Sequence, residues 1–379
     1  MKSQYLLAVI VFASMAISGC SCTSRSKVKA LLRDSGERWF LVGTYVTPRE
    51  KEGPPKEEWI GTLRLPDGVL SRVIDIPVKT SDGTLLWSVA AYNEVSQILI
   101  LEALGSSGEH DCIDVWLYDL ASRQSRLIAK GKWDNICGFV WSPDGSKVAF
   151  VASTRGSETA IMRYEEGGDN TALNKLMDRR DNKYLYYVSK DDDVMCVKMR
   201  TAVMQYDVHT GKLEEVASDA WRFGNSSFKP RRPVYSEDGN WLYYVSGDRH
   251  VMRVDLRTRE CTKLPFSHAI VILTVKGEYL IYARQVGARE DWRFEVVKVR
   301  LDSPDGLAGE QVVYADKGVI WQNDVSPSRR FILLRSRMGY GSDTRLLDVD
   351  KGTVYRADFL LFHYGFCPCS TVFVRGTVP

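Results

Sequence analysis

Apolar and polar positions alternate along most of this chain in short runs, not in helical steps. The clearest run spans Phe139 to Ser153. Apolar residues 139–141 lead into a turn made of Ser142, Pro143, Asp144 and Gly145, and apolar residues 148–152 leave it. Pro at the second turn position presets φ, and Gly accepts the positive φ that closes the turn, so the run predicts a β-hairpin. The pattern returns from Val234 to Ser246 around Ser236, Asp238 and Gly239, and in degraded form from Asp324 to Ser336 around Ser326. The turn serines Ser142, Ser236 and Ser326 are 94 and 90 residues apart, which reads as two repeats of 47 and two of 45.

Weaker copies of the second strand lie between and before these. They are residues 183–189, 278–283, 95–102 and 37–42, which brings the number of starts to seven. A second motif keeps the same register: each start is followed by a strand ending in an acidic or polar turn. Examples are Asp119, Asp207, Asp255 and Asp348, with weaker forms at 63–68, 162–167 and 299–306. Each unit then holds about four short strands rich in Val, Ile, Tyr and Trp, bounded by Asp and Gly turns. A period near 45 with four strands per unit is the signature of a β-propeller blade. The expected fold is therefore all-β, a propeller of about seven four-stranded blades, with six or eight as the other counts. A lone blade is not stable, and radial stacking buries both of its faces. Two apolar segments near the C-terminus, 359–366 and 370–374, read as strands, one of which would complete the first blade and close the ring.

The run from Trp141 to Phe150 resembles the repeat of TolB-type propellers, also found in the propeller domains of prolyl oligopeptidases. Residues 236–246 and 326–336 resemble it more weakly. The resemblance covers residues 34 to 360 and speaks for fold, because fold does not fix activity. It implies a protein-docking platform outside the cytoplasm. The flanking hydrolase of the oligopeptidases is not expected, since the chain has no Gly-x-Ser-x-Gly elbow.

The N-terminus carries an address. After Lys2, residues Leu6 to Ser18 form a thirteen-residue apolar stretch. That suits a signal peptide and falls short of the roughly 20 residues of a membrane span. Ile17, Ser18, Gly19 and Cys20 resemble the bacterial lipobox. The resemblance implies cleavage after residue 19 and acylation of Cys20. Three acyl chains exceed the roughly two needed for stable anchoring. Ser21 in place of Asp points to the periplasmic face of the outer membrane in a Gram-negative cell. The expected organisation is a signal peptide (1–19), a lipidated flexible tether (20–33) rich in Ser, Lys and Arg, and one propeller domain (34–379).

Charge sharpens the class of partner. Lys+Arg 51 against Asp+Glu 48 is too balanced for a nucleic-acid partner. Five His make a His-rich metal enzyme unexpected, and no cofactor or metal site is predicted. Cysteines number eight, so seven remain once Cys20 is acylated, an odd count that leaves at least one thiol out of any disulfide set. Cys112 with Cys137 is the preferred pair. Asp191, Asp192 and Asp193 are contiguous, which suits a solvated turn better than a calcium loop.

One pattern forms a candidate ligand site. Trp residues precede several inner strands: Trp133 with Asp134 and Asn135, Trp221 with Arg222, and Trp321 with Asn323 and Asp324. Such connections converge on the channel mouth of a propeller, where aromatic rings and polar groups could meet a sugar or peptide. The alternative is that the Trp side chains plug the gaps between blades. The reading is a lipid-anchored envelope propeller that binds a protein partner, with no catalytic residues assigned. A carbohydrate- or peptidoglycan-binding module is the second reading. A propeller enzyme of lactonase, lyase or glycosidase type is the third, with Asp134 and Asp324 as its only acid pair to test. The sequence assigns no oligomeric state.

Overall fold

The computed structural model describes residues 27–36, 39–46, 58–65, 69–80, 82–86, 88–93, 96–104, 113–129, 133, 135–163, 184–188, 193–220, 232–287, 293–302, 309–316, 319–326, 328–338, 341–357, 366–367 and 373–375. Among these, the strands form six antiparallel sheets, plus a two-stranded ribbon of 78–79 with 85–86. The second sheet runs Ser88–Asn93, Ile98–Leu104, Ile113–Asp119 and Gln124–Ala129, in that order. The fourth, fifth and sixth sheets begin at Val234, Ala269 and Val319 and follow the same simple order. From the first sheet to the sixth, the inner strand of each sheet adjoins the inner strand of the next, so these strands line the centre of the ring. The expected β-propeller is observed, with six sheets among the described residues.

The count departs from seven at the third sheet. Its second and third strands are Lys147–Arg163 and Asp193–Asp207, of 17 and 15 residues. Only their lower halves belong to a blade, where 148–153 pairs with the inner strand and 202–206 with the outer strand Leu213–Ser218. The upper halves continue pairing with each other out to Arg163 and Asp193. The unit start expected at 183–189 is the strand Tyr184–Val188, which hydrogen-bonds to Val194–Lys198 in this extension. It is an added strand on an arm, not the start of a blade.

The C-terminal expectation holds. Phe366–Cys367 and Phe373–Arg375 both pair with Trp39–Val46, so the last residues supply the inner edge of the first sheet. An early strand and two late ones thus share one sheet, the pairing that closes a propeller ring.

Turn chemistry explains the repeats. Between first and second strands, Ser142 Oγ donates to Asp144 Oδ1 at 2.5 Å, and the backbone N–H of Ser146 donates to the same oxygen at 3.1 Å. Ser236 and Asp238 repeat the arrangement at 2.5 Å, with Asn240 N–H at 3.1 Å. Gly145 and Gly239 close these turns at φ 73. In the degraded copy Arg329 takes that place at φ 59, a conformation that costs a non-glycine residue about 1 kcal/mol or more. Between third and fourth strands the motif is a single Asp whose Oδ1 accepts two backbone N–H groups. Asp119 does so from Ala121 and Ser122, Asp207 from His209 and Thr210, and Asp255 from Arg257 and Thr258, all at 2.8–3.0 Å.

Apolar seams join the sheets around the ring. The first and second share Ile60, Leu86, Leu99 and Trp116; the second and third share Ile100, Val115, Trp133 and Phe150. Val203, Tyr235 and Leu242 join the third to the fourth. One cluster spans the fourth, fifth and sixth through Val251, Tyr282, Val297 and Leu347. Burial of each such side chain is worth about 1.5–3 kcal/mol relative to exposure.

The seam between the sixth sheet and the first is different. Residues 27–34 form a helix whose Val28 and Leu32 are fully buried against Phe331, Leu333, Leu346 and Ala357, with Leu70 of the first sheet alongside. This corrects the expected tether. Val28, Leu31 and Leu32 fall at helical spacing and give the segment an apolar stripe, so it docks instead of remaining a solvated linker. Residues 20–26 lie outside the described residues.

Candidate functional site

The predicted channel-mouth residues do not all come into view. Trp133 is 4% exposed, its ring edge-on to Phe150 with centroids 5.6 Å apart. It packs in the seam between the second and third sheets, as the plug alternative expects. Asn135 opens the third sheet's inner strand, paired with Ser153. Trp321, Asn323 and Asp324 lie within the sixth sheet's inner strand, Val319–Val325, where Asn323 pairs with Leu334 and Asp324 with Leu333. Asp134, Trp221, Arg222 and Cys20 lie outside the described residues, as do Cys112 and the acidic run 191–192.

The two ends of the ring differ. At one end sit the turns between first and second strands and between third and fourth strands, and they brace one another. Asn93 Nδ2 donates to the Gly145 carbonyl at 3.3 Å, and Arg126 donates to the Val208 carbonyl at 2.5 Å. Arg259 pairs with Glu214, and Lys276 with Asp350 at 2.6 and 2.8 Å. We call this the braced end. The opposite end carries the turns between second and third strands, and from it the arm of the third sheet projects. On the returning strand the eight steps from Asp193 to Thr201 reach about 26 Å at about 3.3 Å each.

A cavity of about 420 Å³ opens at the braced end, where the fourth, fifth and sixth sheets meet. Its lining includes Glu237, Lys276, Tyr279, Ile281, Lys298 and Asp350. Strand register explains its walls: Ile281 pairs with Lys298, so Tyr279, Ile281 and Lys298 share one face of the fifth sheet. The Lys298 ammonium stands 4.5 Å over the Tyr279 ring. A cleft with an aromatic ring, an aliphatic floor and both signs of charge suits a small polar ligand. Sequence reading missed it, because its residues come from three different units. Period-two alternation along 279–282 and 296–299 was the available signal.

Two charged clusters were also invisible in the sequence. Within the fifth sheet Arg284 bridges Glu295 at 3.0 Å and Glu310, while the Tyr282 hydroxyl donates to Glu310 and Arg293 reaches Glu295 at 2.9 Å. The two carboxylates are 6% and 7% exposed. Burial, and then the neighbouring Glu310 carboxylate, push the Tyr282 hydroxyl well above the usual tyrosine range. Both acids accept charge-assisted bonds, which makes the cluster a lock between strands and not a free acid–base pair. At the arm end of the fourth sheet, Asp248 accepts from Ser246 at 2.5 Å and from Lys263 at 2.7 Å, and lies 3.2 Å from His250 Nδ1. A nucleophilic triad needs His between Ser and Asp. Here Asp lies between, so the group fixes a turn. Among the described residues no three or more His, Cys, Asp or Glu gather as metal ligands.

No family profile matches the chain, and no curated protein matches it. Solved structures do. TolB from Acinetobacter baumannii aligns over 89% of this chain and 67% of its own, at 12% identity and a TM-score of 0.50. An oligogalacturonate lyase in complex with manganese aligns over 84% of this chain and 73% of its own, at 12% identity and a TM-score of 0.43. An acylaminoacyl peptidase from Pyrococcus horikoshii aligns over 79% of this chain and 41% of its own, at 13% identity and a TM-score of 0.41. At such identities the likeness speaks for fold alone. The chain has a TolB-like β-propeller fold.

Proposed function

We propose that this chain is a lipoprotein of a bacterial envelope, held to a membrane through Cys20, whose ring presents the arm of the third sheet to a protein partner. The observation that carries the reading is the arm itself. Four sheets are four-stranded and the first has its inner edge supplied by two short strands, all of ordinary extent, while the third extends two of its strands about 26 Å beyond the ring and adds a further strand there. Sheet extensions of this kind expose backbone edges that can recruit a partner strand. Ile17 to Cys20 supplies the address, and a position at the periplasmic face of the outer membrane follows from Ser21. The chain is read as a binding module and not an enzyme.

The test is site-specific photocrosslinking in the cell. A photoreactive residue is placed in turn at Gly156 on the arm, at Gln285 on the same end of the ring, and at Lys212 on the braced end. One envelope protein crosslinked from the arm in near-stoichiometric amount supports the reading. Crosslinks only from Lys212, or none from any position, overturn it. The cavity beside Tyr279 and Lys298 favours a second reading, a small polar ligand at the braced end, which calorimetry against Lys298→Ala would detect.

A further inference from the structure

We infer that the outer face of the 27–34 helix is a docking surface for anionic phospholipid headgroups, and that it holds the braced end toward the bilayer and the arm away from it. The inference rests on the lipoprotein reading and adds a partner surface and an orientation to it.

Three observations converge. First, the helix is split by burial: Val28 and Leu32 are fully buried, while Lys27, Ala30 and Arg33 form an exposed stripe at three-residue steps, with Lys29 half-exposed beside it. The exposed face therefore carries Lys27, Lys29 and Arg33 against the one acid Asp34 at its end, a net positive charge, and the buried face seals the seam between the sixth and first sheets. Charge complementarity selects an anionic surface as the occupant. Second, only residues 21–26 separate the acylation cysteine from this helix. Whatever their arrangement, seven Cα steps span at most about 25 Å. An acylated Cys20 thus keeps Lys27 within about 25 Å of the anchor, and Arg33, six helical residues on, within about 34 Å.

Third, the helix sits at one end of the ring. It contacts Phe331 and Leu333 at the start of their strand, next to the Ser326 turn, together with Leu346, which pairs with Leu333. Leu70, near the start of the first sheet's outer strand, lies at the same level. These positions belong to the braced half of the molecule, and Ala357, bonded to the Thr344 carbonyl, carries the helix's neighbours as far as mid-strand. The arm leaves the opposite end, from the third sheet, half-way around the ring from the helix. A bilayer drawn to the helix therefore leaves the arm facing the compartment, where a protein partner can reach it.

Lysine labelling of the full acylated protein in vesicles tests this. The protein is reconstituted into vesicles of phosphatidylcholine, or of phosphatidylcholine and phosphatidylglycerol in equal parts, and treated with an amine-acetylating reagent. Lys263, at the arm end beside Asp248, is the internal control. Labelling of Lys27 and Lys29 is expected to fall about fivefold on the anionic vesicles relative to the neutral ones, the change that one surface-bound cation brings. Lys263 labels equally on both. Arg33→Glu, on the same exposed stripe, is expected to shrink the difference. Equal labelling of Lys27 and Lys29 on the two vesicle types overturns the docking surface. Protection of Lys263 instead overturns the orientation. Intact mass reads acylation separately: a protein without acyl chains overturns the anchor, and the labelling ratio of that protein added to the same vesicles still decides whether the basic face meets the anionic surface.

Discussion

Two stretches of nearly equal length organise this ring differently. Ser142 to Ser236 and Ser236 to Ser326 are 94 and 90 residues apart. The second stretch holds the strands of two sheets, the fourth and the fifth. The first holds one sheet and an arm. Both begin with the same Ser–Asp hydrogen-bonded turn, so the turn does not distinguish them. The difference lies in the strands beyond that turn. In the second stretch the turn Asp255 sends the chain back after five-residue strands, and a new inner strand, Ala269–Lys276, starts with seven of its eight residues buried. In the first, the chain runs on for 17 residues before it returns, and the corresponding Asp207 comes only at the end of that return. Spacing near a multiple of 45 therefore measures chain, whereas the Asp turn and a buried inner strand measure sheets.

The comparison can be broken by mutation. The largest effect is expected at the fifth sheet, which the first stretch lacks. Arg284→Ala leaves Glu295 with Arg293 and Glu310 with the Tyr282 hydroxyl, and the loss of the shared cation from this buried cluster costs about 3–5 kcal/mol. Urea unfolding should show that drop, and a loss under 1 kcal/mol would mean the cluster is not a lock. Next comes the closing helix. Leu32→Ala removes a fully buried side chain and should cost about 2–4 kcal/mol. Hydrogen exchange should then speed up first in 331–334 and 344–347, which the helix covers.

Acid should act mainly through the turns of the third and fourth sheets. The Ser236 hydroxyl holds the Asp238 carboxyl below its usual value of 3.8, and the backbone N–H groups of Thr210 and Thr258 do the same for Asp207 and Asp255. At Asp144 and Asp248 partial burial works upward and is outweighed, by Ser142 and Ser146 at the first and by Lys263 and Ser246 at the second. These folded-state values lie below the unfolded one. Their stabilisation is therefore complete above about pH 5 and is lost as pH falls through 4 and below. A thermal melt series should be flat from neutrality to about pH 5 and fall beneath it, and Asp238→Asn should flatten the fall. The smallest effect is Arg123→Gly. It relieves a positive φ of 57 in an exposed turn and should stabilise by about 0.5 kcal/mol, readable as a small rise in melting temperature.

The fold was legible because its signals are local. Ser142, Asp144 and Gly145 sit within four residues of each other, as do Asp207 and its two N–H donors, so each turn announces itself. The closing strand was legible for the same reason, as a short apolar run at the end. The arm was not. Tyr184–Val188 has the composition of a blade strand, and only its pairing partner, Val194–Lys198, says otherwise. The helix was obscured because Val28 and Leu32 are thinly spread among Lys, Arg and Ser, and the face that buries them comes from residues 331 to 357. Sites fared worst. Trp133 could be read as a platform or a plug, and the choice depends on Phe150 across the seam. Glu237, Lys298 and Asp350 line one cavity from three separate units, a juxtaposition with no trace in linear spacing.

The central claim is that the ring is complete without the arm and that the arm carries the partner. The direct measurement removes it: Gly156 to Lys198 are replaced by an Asn-Gly turn joining Arg155 to Met199, a pair already facing each other in register. The account predicts an acylated protein with the melting temperature of the parent and no partner crosslinked in the cell. A ring that no longer folds, or one that still captures the same partner in the same amount, would contradict it.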